Sequence, residues 1–195
     1  MAIVRMIIDG YGQLELNQVA FRRDGRIEAQ CRLDETDFAT DPCENGMILA
    51  VDNVNKVVKL PGAGIEDYPL ALVYTTEHMY DERAVALKDF KLTIEDGFYP
   101  RLGYLSVGDK ITTNTICYDD GEFTAPAGGT VEDAIADAYE NITTTPLYGK
   151  VDASGVIQVT ATKPDTGLAL LAINGPGVPT MPDGQLGFKF QVISL

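Results

Sequence analysis

Short runs of alternating apolar and polar residues, each closed by Gly, Asp, Asn or Pro, recur along the chain and point to a β-rich fold. In 26–33, Ile27, Ala29, Cys31 and Leu33 fall on one face of an extended chain, and Glu28, Gln30 and Arg32 on the other. That period of two is the mark of a half-buried strand. Arg23-Asp24-Gly25 joins this run to 14–21, and an Asp-Gly step readily takes the positive φ angles of a tight hairpin. The same reading places strands at 2–8, 47–51, 56–60, 70–75 and 90–94, the last with Phe90, Leu92 and Ile94 on one side. Asp52-Asn53 turns 47–51 into 56–60, and Pro61-Gly62-Ala63-Gly64 ends that pair. Residues 102–107 and 110–118 read as a further hairpin about Gly108-Asp109, with a Thr-rich second arm suited to a pleated surface. Residues 77–88 fit both periods: Tyr80, Ala84 and Leu87 suit a helix face, Val85 and Leu87 a strand.

One segment breaks the pattern. After the flexible Ala125-Pro126-Ala127-Gly128-Gly129, Thr130 can cap a helix whose first turn carries Glu132 and Asp133, where carboxylates favour the positive end of the helix dipole. Val131, Ala134, Ile135, Ala138 and Ile142 then recur at helical spacing and predict one buried face. Strands follow at 147–151 and 156–162 about the Asp152-Ala153-Ser154-Gly155 turn, and at 168–173 and 188–193, with a stiff Gly- and Pro-rich stretch at 174–179. The expected fold is therefore mainly β. It is an antiparallel β-sandwich or barrel-like amino-terminal domain over 1–124, plus a small β-rich carboxy-terminal region with one helix over 130–195. The alternative is one continuous β domain with an inserted helix.

Composition narrows function by exclusion. The chain has 195 residues with a net charge of -14, and a 45% hydrophobic content supplies a core. Such an acidic balance argues against nucleic acid, whose binding needs a basic face to displace counterions, and against anionic membrane surfaces. The charge is shared evenly, -7 over 1–110 and -7 over 111–195. The apolar opening at 2–8 is interrupted by Arg5 and stopped by Asp9 and Gly10, too short for a signal-peptide core or a membrane helix. The expectation is a soluble, unprocessed protein. Cys31, Cys43 and Cys117 are widely spaced, with no C-x-x-C pair, so neither a disulfide framework nor a zinc site is indicated. Cys31, on the apolar side of its strand, reads as a small buried hydrophobe.

Motifs for chemistry are sparse. His78 is the only histidine, so any triad or multi-histidine metal site would run through it, and no G-x-S-x-G surrounds a serine. Gly62-Ala63-Gly64 lacks the third glycine of a dinucleotide loop, and no P-loop lysine follows a glycine cluster. Carboxylates are the abundant reactive group. Asp34, Glu35, Asp37, Asp41 and Glu44 offer oxygens to calcium if their loop folds back on itself, although the EF-hand order is absent. Asp119, Asp120 and Glu122 form a second cluster about Gly121. Solvated acidic loops are the simpler reading of both. Asn141-Ile142-Thr143 meets the glycosylation sequon, but no signal peptide gives it a route to modification.

The segment Gly97-Phe98-Tyr99-Pro100-Arg101-Leu102-Gly103-Tyr104-Leu105-Ser106-Val107-Gly108-Asp109-Lys110-Ile111-Thr112-Thr113-Asn114-Thr115 resembles a stretch found in capsid-associated structural proteins of tailed bacteriophages, the class of decoration, cement and auxiliary head proteins. The opening at 1–12 and the turn at Asp152-Ala153-Ser154-Gly155 are of similar character. The resemblance implies a non-enzymatic virion structural protein that binds and reinforces the outer surface of a phage capsid. It would have the major capsid protein as partner, form a homo-oligomer, use no cofactor, and be made in the host cytoplasm. An acidic protein is tolerated on a shell exterior that does not touch packaged DNA. Tyr99, Pro100, Arg101 and Tyr104 are the candidate interface, because Tyr and Arg are common anchors. The simpler alternative has Leu102 and Tyr104 in the core and Arg101 at its edge. Two other readings stand beside this one: a β-sandwich module of a tail or fibre recognising a carbohydrate or surface ligand, and an enzyme with paired carboxylates.

Overall fold

The computed structural model describes residues 2–15, 29–62, 68–75, 87–97, 99–173, 181 and 183–195. The expected hairpin at Arg23-Asp24-Gly25, His78 and the stretch at 174–179 lie outside the described residues. So does most of the ambiguous segment at 77–88, of which residues 87–89 form a single 3-10 turn.

The fold is mainly β with one helix, as the alternation requires. Among the described residues the strands are β1 (Ile3–Arg5), β2 (Ala29–Gln30), β3 (Arg32–Leu33), β4 (Ile48–Asp52), β5 (Val57–Lys59), β6 (Leu70–Val73), β7 (Arg101–Tyr104), β8 (Lys110–Thr113), β9 (Ile116–Asp119), β10 (Tyr148–Val151), β11 (Ile157–Thr160), β12 (Ala169–Ala172) and β13 (Phe188–Ser194). They form a six-stranded sheet in the order β2-β7-β6-β4-β5-β3 and a seven-stranded sheet in the order β1-β9-β11-β10-β12-β13-β8.

Both sheets curl, and the connections show why. β2 and β3 are separated by Cys31 alone, yet Ala29 and Gln30 pair with β7 at one edge while Arg32 and Leu33 pair with β5 at the other. One kinked segment therefore joins the two edges, which gives the sheet its barrel-like form. In the other sheet only Asn114 and Thr115 separate β8, at one end, from β9, next to the opposite end. That sheet must also wrap round to bring its ends together.

Two cores follow from this geometry. Inside the six-stranded sheet, Leu49, Val51, Val58, Ala71, Val73 and Leu102 cluster with Phe38, Cys43, Phe90 and Leu92 from the loops. The outward side of the same strands gives Ile48 and Leu72 to a second core, shared with Ile116, Ile157, Leu170 and Phe190 of the seven-stranded sheet. β4 is consequently buried at all five positions, which explains why its sequence is apolar without alternation from Ile48 to Val51. The helix α1 (Val131–Glu140) closes this second core with Ile135 and Tyr139. Thr130 caps it through a reciprocal pair with Asp133: the Asp133 N–H donates to the Thr130 hydroxyl at 3.2 Å, and the Thr130 N–H donates back to the carboxylate at 2.7 Å. Tyr139 meets the Phe188 ring edge-on at 4.9 Å and accepts the Lys189 N–H at 2.9 Å.

Three local expectations are corrected. Residues 102–107 and 110–118 are not a hairpin, since β7 and β8 belong to different sheets and Gly108-Asp109 is the crossover between them. An Asp109 carboxylate oxygen accepts the Ser106 N–H at 2.7 Å and fixes that corner. The Thr-rich arm breaks at Asn114 into two strands. Residues 90–94 form only an isolated bridge, Leu92 to Cys43, with Phe90 and Leu92 buried and Ile94 exposed. In each case period-two alternation marks a buried face without specifying the partner. The breaker at 125–129 lies between strands of one sheet, because β1, β8 and β9 come from before it and β10 to β13 from after it.

Candidate functional site

A largely enclosed polar arrangement lies where the two sheets meet. Arg5 leaves β1 and reaches Glu44 in the loop that precedes β4. Its guanidinium donates to one carboxylate oxygen at 2.8 Å and to the other in a close ion pair. The backbone N–H of Gly12 donates to the same carboxylate. The Glu44 side chain is 6% exposed and that of Arg5 38%. Burial lowers the affinity of the guanidinium for its proton, but the hydrogen bond and charge of Glu44 outweigh it, so Arg5 stays above its ordinary value.

Around this pair runs a seam of buried polar groups. The Asn45 side chain accepts the Thr75 N–H at 2.7 Å and donates to the Thr75 carbonyl at 3.2 Å. The Thr115 hydroxyl donates to the Asn45 carbonyl at 2.7 Å, and Asn114 accepts the Gln13 N–H at 2.6 Å. Glycine is required where these chains touch. A Cβ at Gly12 would overlap the Thr115 hydroxyl, and one at Gly46, whose φ is +88°, would overlap the hydroxyls of Thr113 and Thr115. The seam ties residues 5–15, the 44–46 turn, Thr75 and the 113–115 link into one unit. Its chemistry is that of attachment.

A cleft of about 390 Å³ opens beside the ion pair, with Ile3, Phe38 and Met47 on its apolar wall and Asp37, Asp41 and Asp152 among its polar lining. Asp152 is held by the N–H groups of Ser154 at 3.0 Å and Val156 at 2.9 Å and by the Ser154 hydroxyl at 2.7 Å. Cys117 also lines the cleft. Burial first, and then the charge of Asp152, push its thiol well above the ordinary range, so it stays protonated rather than nucleophilic. Burial does the same to Cys43. All three cysteines are buried and unpaired.

The calcium candidates are directed to separate partners. Asp34 accepts the Thr36 N–H at 2.9 Å and the Asp37 N–H at 3.2 Å. Asp37 accepts the Leu60 N–H at 2.9 Å, Glu35 faces Arg32 at 3.9 Å, Asp41 takes the Thr40 hydroxyl at 3.2 Å, and Glu44 holds Arg5. Among the described residues no three His, Cys, Asp or Glu side chains are grouped to hold a metal ion. In the second acidic cluster, Glu122 accepts from the Thr160 hydroxyl at 2.5 Å and the Ala161 N–H at 2.7 Å.

The four candidate interface residues are spread rather than gathered. Tyr99 is 55% exposed and shares a groove of about 220 Å³ with Ile94 and Arg32. Pro100 is buried, and Arg101 is half-buried in β7, its N–H donating to the Thr75 hydroxyl at 3.2 Å. Tyr104 packs on the inner core, accepts from the Asn53 amide at 2.9 Å and lines a different groove of about 350 Å³ with Tyr68 and Leu195. The polar seam escaped the sequence reading. Its one visible sign is Thr112-Thr113-Asn114-Thr115, where four polar side chains interrupt an otherwise apolar pattern.

Comparison with protein-family models, with curated proteins and with solved structures finds no match.

Proposed function

We propose that this chain is a non-enzymatic virion structural protein that binds the outer surface of a phage capsid and reinforces it. The observation that carries the reading is the use made of the polar groups at the sheet junction: apart from Gln13 Oε1 and Asn114 Nδ2 they are bonded to one another, and they hold two curled sheets as one body. The ion pair, the Asn45–Thr75 exchange and the 113–115 link are all spent on rigidity. A body of this kind loses little conformational freedom on docking, and repeated copies on a lattice add avidity. The segment resembling auxiliary head proteins, 97–115, is the crossover from one sheet to the other. It carries the exposed Tyr99 and Val107. The partner on this reading is the major capsid protein. The test is to add the purified chain to shells that lack it, then measure co-sedimentation and the temperature at which the shells rupture. The reading expects saturable binding and a raised rupture temperature. Shells that neither bind the chain nor gain heat resistance would refute it.

One observation favours a second reading, a tail or fibre module that recognises a carbohydrate. Tyr68 lies between the groove it shares with Tyr104 and a neighbouring one of about 500 Å³ lined by Pro61, Lys150 and Pro164. Tyrosine faces flanked by polar groups suit sugar rings. A glycan array with Tyr68→Ala as control separates the two readings.

A further inference from the structure

We infer that the outer edge of β1, together with the acidic cleft beside it, receives an extended basic segment of a partner protein as an added strand. Among the described residues β1 ends the seven-stranded sheet. In its pairing with β9, the Ala2 carbonyl accepts the Asp120 N–H and the Met6 N–H donates to the Ile116 carbonyl, each at 3.0 Å. Ile3 and Arg5 sit at the intervening positions, opposite Asp119 and Cys117. In an antiparallel ladder those positions turn their N–H and C=O groups away from the neighbour. Two residues therefore present donors and acceptors outward, with the spacing a further strand requires.

The side chains of the same two residues line the cleft, so alternate side chains of an added strand would lie over it. The cleft offers them two surfaces. Ile3, Phe38 and Met47 form an apolar wall. Asp37, Asp41, Glu44 and Asp152 supply four carboxylates against the single cation of Arg5, which Glu44 already balances. Three negative charges are left for a partner to meet. Natural edge strands are usually blunted by lysine or proline. This edge carries Ile3, 47% exposed, and Arg5, whose charge Glu44 balances, and leads to Ile7, 87% exposed. Charge decides between occupants. At -14 per chain, a second copy brings its own acidic cleft to this edge and is repelled. A segment alternating Lys or Arg with aliphatic residues satisfies the backbone, the apolar wall and the carboxylates together. The inference does not depend on the partner being a capsid protein.

The test uses the full chain and a fluorescein-labelled decapeptide of alternating lysine and valine, followed by anisotropy. Saturable binding is expected, weakened about tenfold or more by Ile3→Pro, which removes an outward donor while sparing the ladder to β9. Asp37→Asn combined with Asp41→Asn should weaken it similarly, since asparagine can still accept the Leu60 N–H. Asp137→Asn with Glu140→Gln removes the same charge from exposed positions of α1 and should leave binding unchanged. Should Ile3→Pro lower the melting temperature, Ile3→Lys keeps the outward N–H and should still weaken binding, by its charge and by the loss of an apolar wall residue. Three outcomes overturn the inference: no saturation below about 1 mM, equal weakening by the α1 variant, or a dimer in sedimentation velocity that Ile3→Pro dissolves. The last would make a second copy the occupant. Shell co-sedimentation is scored separately, so the failure of either proposal leaves the other readable.

Discussion

Replacing Glu44 by alanine removes one carboxylate that accepts from both terminal nitrogens of the Arg5 guanidinium and from the Gly12 N–H. Losing one partner of a buried ion pair costs about 3–5 kcal/mol when the other charge has nowhere to go. Here the Arg5 side chain is 38% exposed and can turn to water, which removes much of that penalty. The Gly12 N–H has no such escape, and a stranded buried donor costs about 1–3 kcal/mol. The two terms together give a loss of about 2–4 kcal/mol. At this chain length that lowers the melting temperature by about 2–4 °C for each kcal/mol. Urea unfolding of Glu44→Ala, Arg5→Met and the double variant measures the loss and the coupling. Arg5→Met should cost at least as much as Glu44→Ala, because it leaves the Glu44 carboxylate, only 6% exposed, with the Gly12 N–H but no countercharge. A loss below about 0.5 kcal/mol for Glu44→Ala, within the range of an ordinary surface change, would refute the claim that this pair joins the sheets.

Further outcomes follow from the same geometry. Thr130→Ala removes the helix cap and should cost about 1 kcal/mol, read by urea unfolding, with Thr130→Ser close to wild type. Tyr139→Phe keeps the ring against Phe188 but strands the Lys189 N–H, and calorimetry should show a loss of about 1–3 kcal/mol. Leu49→Ala empties part of the inner core at a fully buried position, and a loss of about 2–5 kcal/mol is expected in denaturant. Asp52, Asp96, Asp133 and Asp183 all sit below their ordinary carboxyl values. Hydrogen bonds from Asn55, Thr93 and Thr130 hold the first three down, and at Asp183 bonds from Gln13 and Gln185 outweigh the opposing effect of burial. A carboxyl depressed by folding contributes stability above its unfolded value and loses it as pH falls through its folded value. Melting temperature should thus be flat near neutrality and fall as pH drops below about 4. A rise in that range would contradict the assignments.

Strands and helix were legible where a segment's own period sets its environment. The α1 cap at Thr130 and the apolar run of β4 are of this kind. Tyr139 was missed because an aromatic with a polar tip does not count toward an apolar face, although its ring fills the core and its hydroxyl meets the backbone. Closure of the six-stranded sheet through 29–33 was not legible, since the alternation at Cys31 is the same whether one strand pairs on one side or splits between two. The Gly108-Asp109 crossover was hidden for a similar reason, as a turn between two alternating runs reads as a hairpin. The acidic loop at 34–46 shows the same limit for sites. Its carboxylates are neighbours in sequence, yet each meets a different partner, and only Glu44 enters the seam. What selects Glu44 is Arg5, 39 residues away, and no local pattern records a pairing over that distance.

The virion role proposed above is decided by fractionating the source lysate on a density gradient and locating this polypeptide by mass spectrometry. A virion structural protein is recovered in fixed, high copy number with virus-sized particles. Recovery in the soluble fraction alone would rule that role out.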